Sequence, residues 1–264
     1  MQVWKGSRNM KPLEIKHRVI GGGEPLICVP VVEQDAQSVI REITYLSQST
    51  ADMIEWRVDA FRDFTDYNAI RSVFEAVAPL LGEKLFLYTF RTAHQGGMAQ
   101  VKAEQLDDLH DLAAESGCVD LVDLEFFEED RPLHKIKRLR EMGVSVIASH
   151  HDFEQTPSPE VMKMLLEKMC AGGADIVKLA VMPQNYKDVL NLLDVTAQFR
   201  EENPDTPVIT MSMGSLGGIS RISGETFGSC VTFGAHEKPS APGQFAMKEL
   251  RQMLDTIHAS SQIQ

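Results

Sequence analysis

The chain has 264 residues, of which 43% are hydrophobic and 24% are charged, and this balance favours one large α/β domain over two small ones. Its net charge of -12 argues against binding of nucleic acid or another polyanion. The sequence has neither an apolar run of about 18 residues nor a signal-like N-terminus, so we expect neither membrane insertion nor secretion. The four cysteines form no CxxC pair and are expected to be free thiols in a reducing cytoplasm.

Strand-like and helix-like segments alternate from residue 26 to the end of the chain. Eight short apolar segments, rich in β-branched or aromatic residues, predict strands at Leu26 to Val32, Met53 to Asp59, Lys84 to Arg91, Leu121 to Phe126, Val144 to His151, Asp175 to Met182, Pro207 to Met213 and Cys230 to Gly234. Apolar residues at helical spacing predict helices at Asp35 to Ser49, Tyr67 to Leu81, Lys102 to Ser116, Pro132 to Met142, Pro159 to Cys170, Tyr186 to Glu201 and Pro242 to His258, with a weak eighth at Gly217 to Ser229.

This order predicts an α/β fold of the (β/α)8 TIM-barrel type, with residues 1–264 as a single domain. An open doubly wound sheet is the competing architecture, but it usually has fewer strands and a glycine-rich turn after the first strand. We expect Glu14 to Ile20, followed by three glycines, to form a hairpin that covers the barrel floor. Residues 1–13 are expected to be extended or disordered.

One lysine lies in an otherwise apolar predicted strand. Lys178 is flanked by Ile176, Val177, Leu179 and Ala180. Burial disfavours the charged ammonium form, so a lysine pointing into the barrel is expected to supply the neutral, nucleophilic amine that imine chemistry needs. The alternative is a lysine that extends to the barrel rim. The apolar neighbours favour the buried nucleophile.

Polar side chains collect at the carboxyl ends of the predicted strands, where the active sites of (β/α)8 barrels lie. Glu55 and Arg57 end the second strand, and they share a face because they are two residues apart. His151 ends the fifth strand, where a histidine can act as general acid and base near neutral pH. Since side chains alternate along a strand, either His150 or His151 faces the barrel interior, and the sequence does not decide between them.

Seven segments together carry a specific resemblance: Glu55-Trp56-Arg57-Val58-Asp59, Thr89-Phe90-Arg91-Thr92, His151-Asp152-Phe153 with Thr156-Pro157, Lys178-Leu179-Ala180-Val181-Met182-Pro183, Ile209-Thr210-Met211-Ser212-Met213-Gly214, Ser220-Arg221, and Ser240-Ala241-Pro242-Gly243-Gln244. Their sequences, order and spacing resemble the motifs of the type I 3-dehydroquinate dehydratase family. The resemblance covers nearly the whole chain from Glu14 onward.

The resemblance implies an enzyme that converts 3-dehydroquinate into 3-dehydroshikimate in the shikimate pathway of aromatic amino acid biosynthesis. Lys178 is then expected to form an imine with the substrate ketone. His151 is expected to remove the C2 proton and to return a proton to the departing C1 hydroxyl in a syn elimination. The resemblance implies no cofactor and no metal, and a cytoplasmic homodimer.

The resemblance also assigns the binding residues. Arg221 is expected to bind the substrate carboxylate, because two parallel N–H groups of a guanidinium match two carboxylate oxygens. Other expected binding residues are Glu55, Arg57 and Arg91 for the ring hydroxyls, Ser240 and Gln244 on a closing loop, and Met211, Met213 and Phe233 on the apolar side. For the last three, core packing is the larger expected role.

The chain departs from the family motif at one position. The motif after Arg91 normally has a glutamate just before Gly96-Gly97, and this chain has Gln95 there. The resemblance assigns that glutamate to the catalytic histidine. Glutamine can still bond an imidazole, but it lacks the negative charge that favours imidazolium. We therefore expect Gln95 to be part of the catalytic machinery, with slower proton transfer or compensation by another carboxylate.

Three further hypotheses compete with this one. A class I aldolase acting on a phosphorylated sugar also uses a lysine imine, and the loop 214–218 could offer backbone N–H groups to a phosphate. A catalytically impaired binding barrel is suggested by Gln95. A metal-dependent barrel would use Asp123, Glu125 and His151 as ligands, but the charge of Lys178 disfavours a cation there.

Overall fold

Eight parallel strands form a nearly closed barrel in residues 13–261, the part of the chain described by the computed structural model. The barrel strands are β3 (Leu26–Val31), β4 (Met53–Arg57), β5 (Leu85–Thr89), β6 (Leu121–Glu125), β7 (Ser145–Asp152), β8 (Ile176–Val181), β9 (Val208–Ser212) and β10 (Val231–Phe233). Each of β3 to β8 pairs with its successor in the chain, and β10 pairs with β3, so that β9 and β10 are the two ends of the sheet. The predicted (β/α)8 TIM barrel and its eight strands are confirmed.

Helices connect these strands and surround the barrel. They are α1 (Ala36–Ser47), α2 (Tyr67–Val77), α3 (Ala103–Glu115), α4 (Pro132–Glu141), α5 (Pro159–Ala171), α6 (Tyr186–Glu202), α7 (Gly218–Ile222), α8 (Gly224–Phe227) and α9 (Met247–Ser261). Four begin at a side chain that accepts a backbone N–H: Asp35, Asp66, Ser158 and Asn185. The weak segment of the sequence consists of the two short helices α7 and α8.

The predicted hairpin is confirmed at the amino-terminal end of the barrel. Strands β1 (Leu13–Ile15) and β2 (Arg18–Ile20) pair antiparallel, and Ile20 packs in the apolar cluster inside the barrel. Arg18 of the hairpin bonds Asp52 at 2.9 Å, just before β4. The prediction for residues 1–13 falls outside the described residues, apart from Leu13.

The predicted start of the last helix is wrong. Residues 242–246 form a loop, and α9 begins at Met247. The carbonyl of Pro242 accepts hydrogen bonds from the Gly214 amide at 3.2 Å and from Arg221 at 3.0 Å. Gly243 has φ +76°, which a right-handed helix does not allow. These tertiary bonds hold the segment over the barrel mouth.

Side chains on the strands alternate between the barrel interior and the helix layer. The outward apolar residues form one large cluster with the helices, in which Trp56 packs edge-on to Phe74 and Tyr88. The inward ones form a separate cluster inside the barrel, which extends from Ile20 at the floor to Met211 and Phe233 near the mouth. Charged residues occupy the inward positions nearer the carboxyl ends. Within residues 13–261, no helix combines the length and apolar character needed to cross a membrane.

Candidate active site

Lys178 points into the barrel from β8, with 3% of its surface exposed. Its Nζ lies 2.9 Å from Oδ2 of Asp123 and 4.6 Å from the centre of the Phe233 ring. Burial opposes ionisation of Asp123, but the charges of Arg91 and Lys178 outweigh it and hold the pKa of this carboxyl far below its usual range. The predicted inward, buried lysine is therefore present, and a fixed carboxylate holds its amine.

Arg91 follows β5 and connects two carboxylates of β6. Its Nη2 lies 2.8 Å from Asp123 and its Nη1 lies 2.8 Å from Glu125. Ser149 adds a bond to Asp123 at 2.5 Å, and Thr92 donates to Glu125 through both its amide and its hydroxyl. Burial opposes the charge of Arg91, yet Asp123 and Glu125 raise the pKa of its guanidinium. This network fixes the carboxylate that holds the lysine.

Arg57 and Asp59 form a second buried pair on the same rim. Two guanidinium nitrogens of Arg57 bond the two oxygens of Asp59 at 2.8 Å each. Despite burial, the Arg57 charge lowers the pKa of Asp59, which also accepts the Arg91 amide at 3.2 Å. Glu55, one inward position below, accepts the Thr89 hydroxyl at 2.8 Å. Arg57 is thereby held in place at the mouth of the pocket.

His151 is the inward histidine of β7. Its ring Nδ1 lies 3.0 Å from Oε1 of Gln95, and the same oxygen accepts the His151 backbone N–H at 2.8 Å. Burial, followed by the positive charges of Arg91 and Lys178, holds the pKa of His151 well below its ordinary value, so the imidazole is neutral near pH 7. With Nδ1–H donating to Gln95, Nε2 keeps a free lone pair. His150 faces outward and packs edge-on to Phe127 at 5.4 Å.

Arg221 lies on α7, with 1% of its surface exposed, next to the loop that covers the barrel mouth. Its Nη2 donates to the Pro242 carbonyl at 3.0 Å, while Nε and Nη1 have no hydrogen-bond partner among residues 13–261. Burial alone lowers the pKa of its guanidinium to about 10. A buried guanidinium with unused donors is suited to bind an anion.

The loop 235–246 closes the pocket from above. Gln244 accepts the Ser240 amide at 2.8 Å and donates to the Ser240 hydroxyl at 3.0 Å. A side chain at Gly243 would meet the Gly214 carbonyl at 2.3 Å, so the two loops are in close contact. The Gly214 amide is already bonded to Pro242. This contact leaves that amide unavailable to a phosphate, contrary to what the aldolase hypothesis needs.

One pocket brings the predicted site residues together. It is lined by Lys178, His151, Gln95, Glu55, Arg57, Arg91, Met211, Met213, Phe233, Ser240 and Gln244. Arg221 is not part of this lining but lies next to it, where it bonds Pro242 of the covering loop. Residues 13–261 contain no group of three or more His, Cys, Asp or Glu side chains placed to hold a metal ion. Of the three ligands of the metal hypothesis, Asp123 and Glu125 are bonded to Lys178 and Arg91 instead.

Four other lining residues were missed from the sequence: Gly96, Phe153, Ala180 and Ala241. Phe153 stacks on His151 with ring centres 6.5 Å apart, and a side chain at Gly96 would meet the Phe153 ring at 2.4 Å. Ala180 is detectable in the sequence, because it lies two residues after Lys178 on the same face. The contact between Gly96 and Phe153 joins two loops and has no local sequence signal.

Comparison with known proteins identifies one family. The family model described as type I 3-dehydroquinase matches residues 27–261. A 3-dehydroquinate dehydratase from Syntrophotalea carbinolica is 41% identical over 250 residues, which are 94% of this chain and 99% of that protein. One from Listeria monocytogenes is 42% identical over the same shares.

Solved structures give the same result. The type I 3-dehydroquinate dehydratase of Clostridium difficile, solved with covalently modified comenic acid, has a TM-score of 0.92 at 38% identity and covers 96% of this chain and 100% of its own. The 3-dehydroquinate dehydratase of Geobacillus kaustophilus also has a TM-score of 0.92, at 35% identity, with 96% and 98% covered.

Proposed function

Because this chain belongs to the type I 3-dehydroquinase family, we propose that it is a carbon–oxygen lyase that dehydrates 3-dehydroquinate to 3-dehydroshikimate in the shikimate pathway. The observation that carries the mechanism is the buried Lys178, which shares one pocket with a neutral His151. A binding module has no need of this pair. An enzyme that forms an imine and then moves a proton needs both groups.

The first step is imine formation at the C3 ketone. The amine of Lys178 adds to the carbonyl carbon in its neutral form, so the neutral His151 first takes one proton from the ammonium group that bonds Asp123. His151 returns this proton to the hydroxyl of the addition product, which leaves as water and gives a protonated imine. The carboxylate of Asp123 stabilises this cation, because it stays ionised next to Arg91.

The elimination uses His151 as base and then as acid. Nε2 takes the C2 proton, and the electron pair of that C–H bond forms an enamine with the imine carbon as electron acceptor. The enamine pair then forms the new C1–C2 double bond and expels the C1 hydroxyl, which leaves as water with the proton from His151. Hydrolysis of the remaining imine releases 3-dehydroshikimate and restores Lys178.

The substrate is held at three sides of the pocket. We assign the carboxylate to Arg221, whose Nε and Nη1 are free to donate. The ring hydroxyls face Glu55 and Arg57, and the apolar wall is formed by Met211 and Phe233. Ser240 and Gln244 close the loop over the ring and exclude water from the imine.

Borohydride reduction in the presence of 3-dehydroquinate tests this function. The wild-type protein should gain one reduced adduct by intact mass, mapped by peptide analysis to Lys178, and it should dehydrate the substrate in solution. Lys178→Met should lose both the adduct and turnover. Lys84→Met is the matched control, since Lys84 is a partly buried lysine at the opposite end of the barrel. An adduct that persists in Lys178→Met contradicts the proposal.

We also propose that the enzyme is a cytoplasmic homodimer. All four cysteines are free, as a reducing compartment requires. The adjacent helices α5 and α6 expose Met164, Tyr186 and Leu190, which supports a symmetric apolar contact between two copies. Light scattering should give twice the chain mass for the wild type and the single mass for Leu190→Glu. A monomeric wild type refutes the dimer.

A further inference from the structure

The amide of Gln95 has two different sides, and its bonds fix which side faces the histidine. Oε1 accepts both N–H groups of His151, at 2.8 and 3.0 Å. Nε2 points the other way, toward Oε1 of Glu128 at 3.5 Å. Gln95 is 2% exposed, so an amide nitrogen without an acceptor there would cost stability.

Glu128 comes from the turn after β6 and faces solvent on its outer side. Its amide donates to the Glu125 carbonyl at 3.0 Å, and Phe127 of the same turn packs against His150. The turn is therefore attached to the strand ends that carry the pocket. The Glu128 carboxylate contacts Nε2 of Gln95, on the side of the amide that points away from His151.

We propose that Glu128 is a positioning residue for the general base, acting on His151 through the Gln95 amide. This inference rests on the proposed function of His151. If the amide were flipped, its NH2 group would face two N–H donors of His151. The imidazole could avoid this clash only by moving its proton from Nδ1 to Nε2, and Nε2 would then have no lone pair to remove the substrate proton. Because Glu128 accepts a hydrogen bond from Nε2 of Gln95, it favours the orientation in which Oε1 faces His151. It also adds a negative charge on the side of the amide away from His151.

The same contact makes residues 95 and 128 a matched pair. A glutamate at position 95 would place a second carboxylate oxygen against Glu128, where like charges repel. With glutamine, the amide instead donates a long hydrogen bond of 3.5 Å to the carboxylate. In this pair, Glu128 carries the negative charge, one residue farther from the imidazole. It thus supplies part of the charge that a glutamate at position 95 would supply directly.

Imidazole NMR tests the positioning role independently of turnover. In 15N-histidine-labelled protein, His151 should carry its proton on Nδ1, and Glu128→Gln should increase the Nε2–H form and move the titration midpoint to lower pH. Arg57, Arg91, Lys178 and Asp123 also face His151, but the substitution leaves these charges unchanged. An unchanged tautomer and midpoint would overturn the inference.

Kinetics with 3-dehydroquinate give the second readout. Glu128→Gln should lower kcat by about three- to tenfold with KM unchanged, as expected when one hydrogen bond from the amide to a solvent-facing carboxylate is weakened. The acidic limb of kcat/KM should move to lower pH. Asp130→Asn is the control, because it removes one exposed carboxylate from the same loop without a contact to Gln95, and it should match the wild type.

The decisive comparison is between the effect of Glu128→Gln in the wild type and its effect in the Gln95→Glu variant. In Gln95→Glu protein, where residue 95 has no amide to orient, Glu128→Gln should lower kcat much less than it does in the wild-type background. An equal loss of kcat in both backgrounds would show that Glu128 acts independently of residue 95 and would refute the inference. If the wild type neither dehydrates 3-dehydroquinate nor forms an adduct, the proposed function fails, while the NMR result still decides on Glu128.

Discussion

Gln95 gives His151 a hydrogen-bond acceptor without a full negative charge. The imidazole lies among Arg91, Lys178 and Arg57, and burial together with these cations keeps it neutral. A neutral imidazole is ready to accept a proton, but it is a weak base because its protonated form is disfavoured. In the proposed mechanism we therefore expect the base, rather than the lysine, to limit turnover, because Asp123, which bonds Lys178, is itself fixed by Arg91 and Ser149.

Gln95→Glu should raise turnover by roughly tenfold, because a carboxylate next to Nδ1–H stabilises the imidazolium and makes His151 a stronger base. The pKa of His151 rises, so the acidic limb of kcat/KM, below which the base is protonated, should move to higher pH. Steady-state rates from pH 5 to 9 give both values. Gln155→Glu adds the same charge on an exposed side chain and should change neither. A Gln95→Glu profile identical to wild type would exclude this role.

At the scale of elements, α3 carries a buried histidine, His110, that the proposed mechanism does not use. His110 packs edge-on to Tyr88 at 6.3 Å, and neither ring nitrogen has a hydrogen-bond partner among residues 13–261. Burial lowers the pKa of His110 from 6.5 to about 4. The folded protein thus holds a neutral imidazole at a pH where the unfolded chain binds a proton, and stability falls as the pH drops from about 6.5 to about 4.

His110→Phe should reduce this acid sensitivity, because phenylalanine keeps the ring contact and cannot be protonated. Between pH 7 and pH 5 the free energy of unfolding should fall by about 2 kcal/mol less in the variant than in the wild type. Urea unfolding at the two pH values measures the difference. His134→Phe, at an exposed position of α4, should keep the wild-type sensitivity. Equal losses in His110→Phe and wild type would contradict the pKa argument.

At the scale of the whole molecule, Asp52 connects three distant parts of the chain under the barrel. It bonds Arg18 of the hairpin, Arg251 of α9 and the backbone amide of Ile27 on β3. Arg251 also bonds Glu24 at 3.1 Å. The floor hairpin and the last helix are thereby tied to the first two barrel strands. We propose on this basis that the hairpin, barrel and α9 unfold as one domain.

Asp52→Ala should lower the free energy of unfolding by roughly 3 kcal/mol, because it removes an acceptor shared by Arg18 and Arg251 and leaves the buried Ile27 amide unpaired. Dehydration activity should be unchanged, since Asp52 lies at the opposite end of the barrel from Lys178. Asp255→Ala removes an exposed partner of Arg251, 3.8 Å away, and should cost under about 1 kcal/mol. Denaturant unfolding should remain a single transition in all three proteins, and a separate early transition would refute the single domain.

Much of this architecture follows from local patterns in the sequence. The alternation of apolar strands and amphipathic helices is enough to predict the barrel, and an inward lysine in strand β8 stands out because its neighbours are apolar. The last helix was predicted too early, since the composition of residues 242–246 does not reveal their bonds to Gly214 and Arg221. A loop held by tertiary contacts has no periodicity to read.

The sequence by itself determined which residues face the same side of each strand, and with the family motifs it identified the proposed nucleophile, base and binding groups. The tertiary structure decided that His151 rather than His150 enters the pocket, that Asp123 holds Lys178, and that Glu128 stands behind Gln95. Side chains alternate between the two faces of a strand, so the face that each residue occupies follows from its position within the segment. Hydrogen-bond partners come from strands and loops about thirty to sixty positions apart, and only the closing of the barrel brings them together.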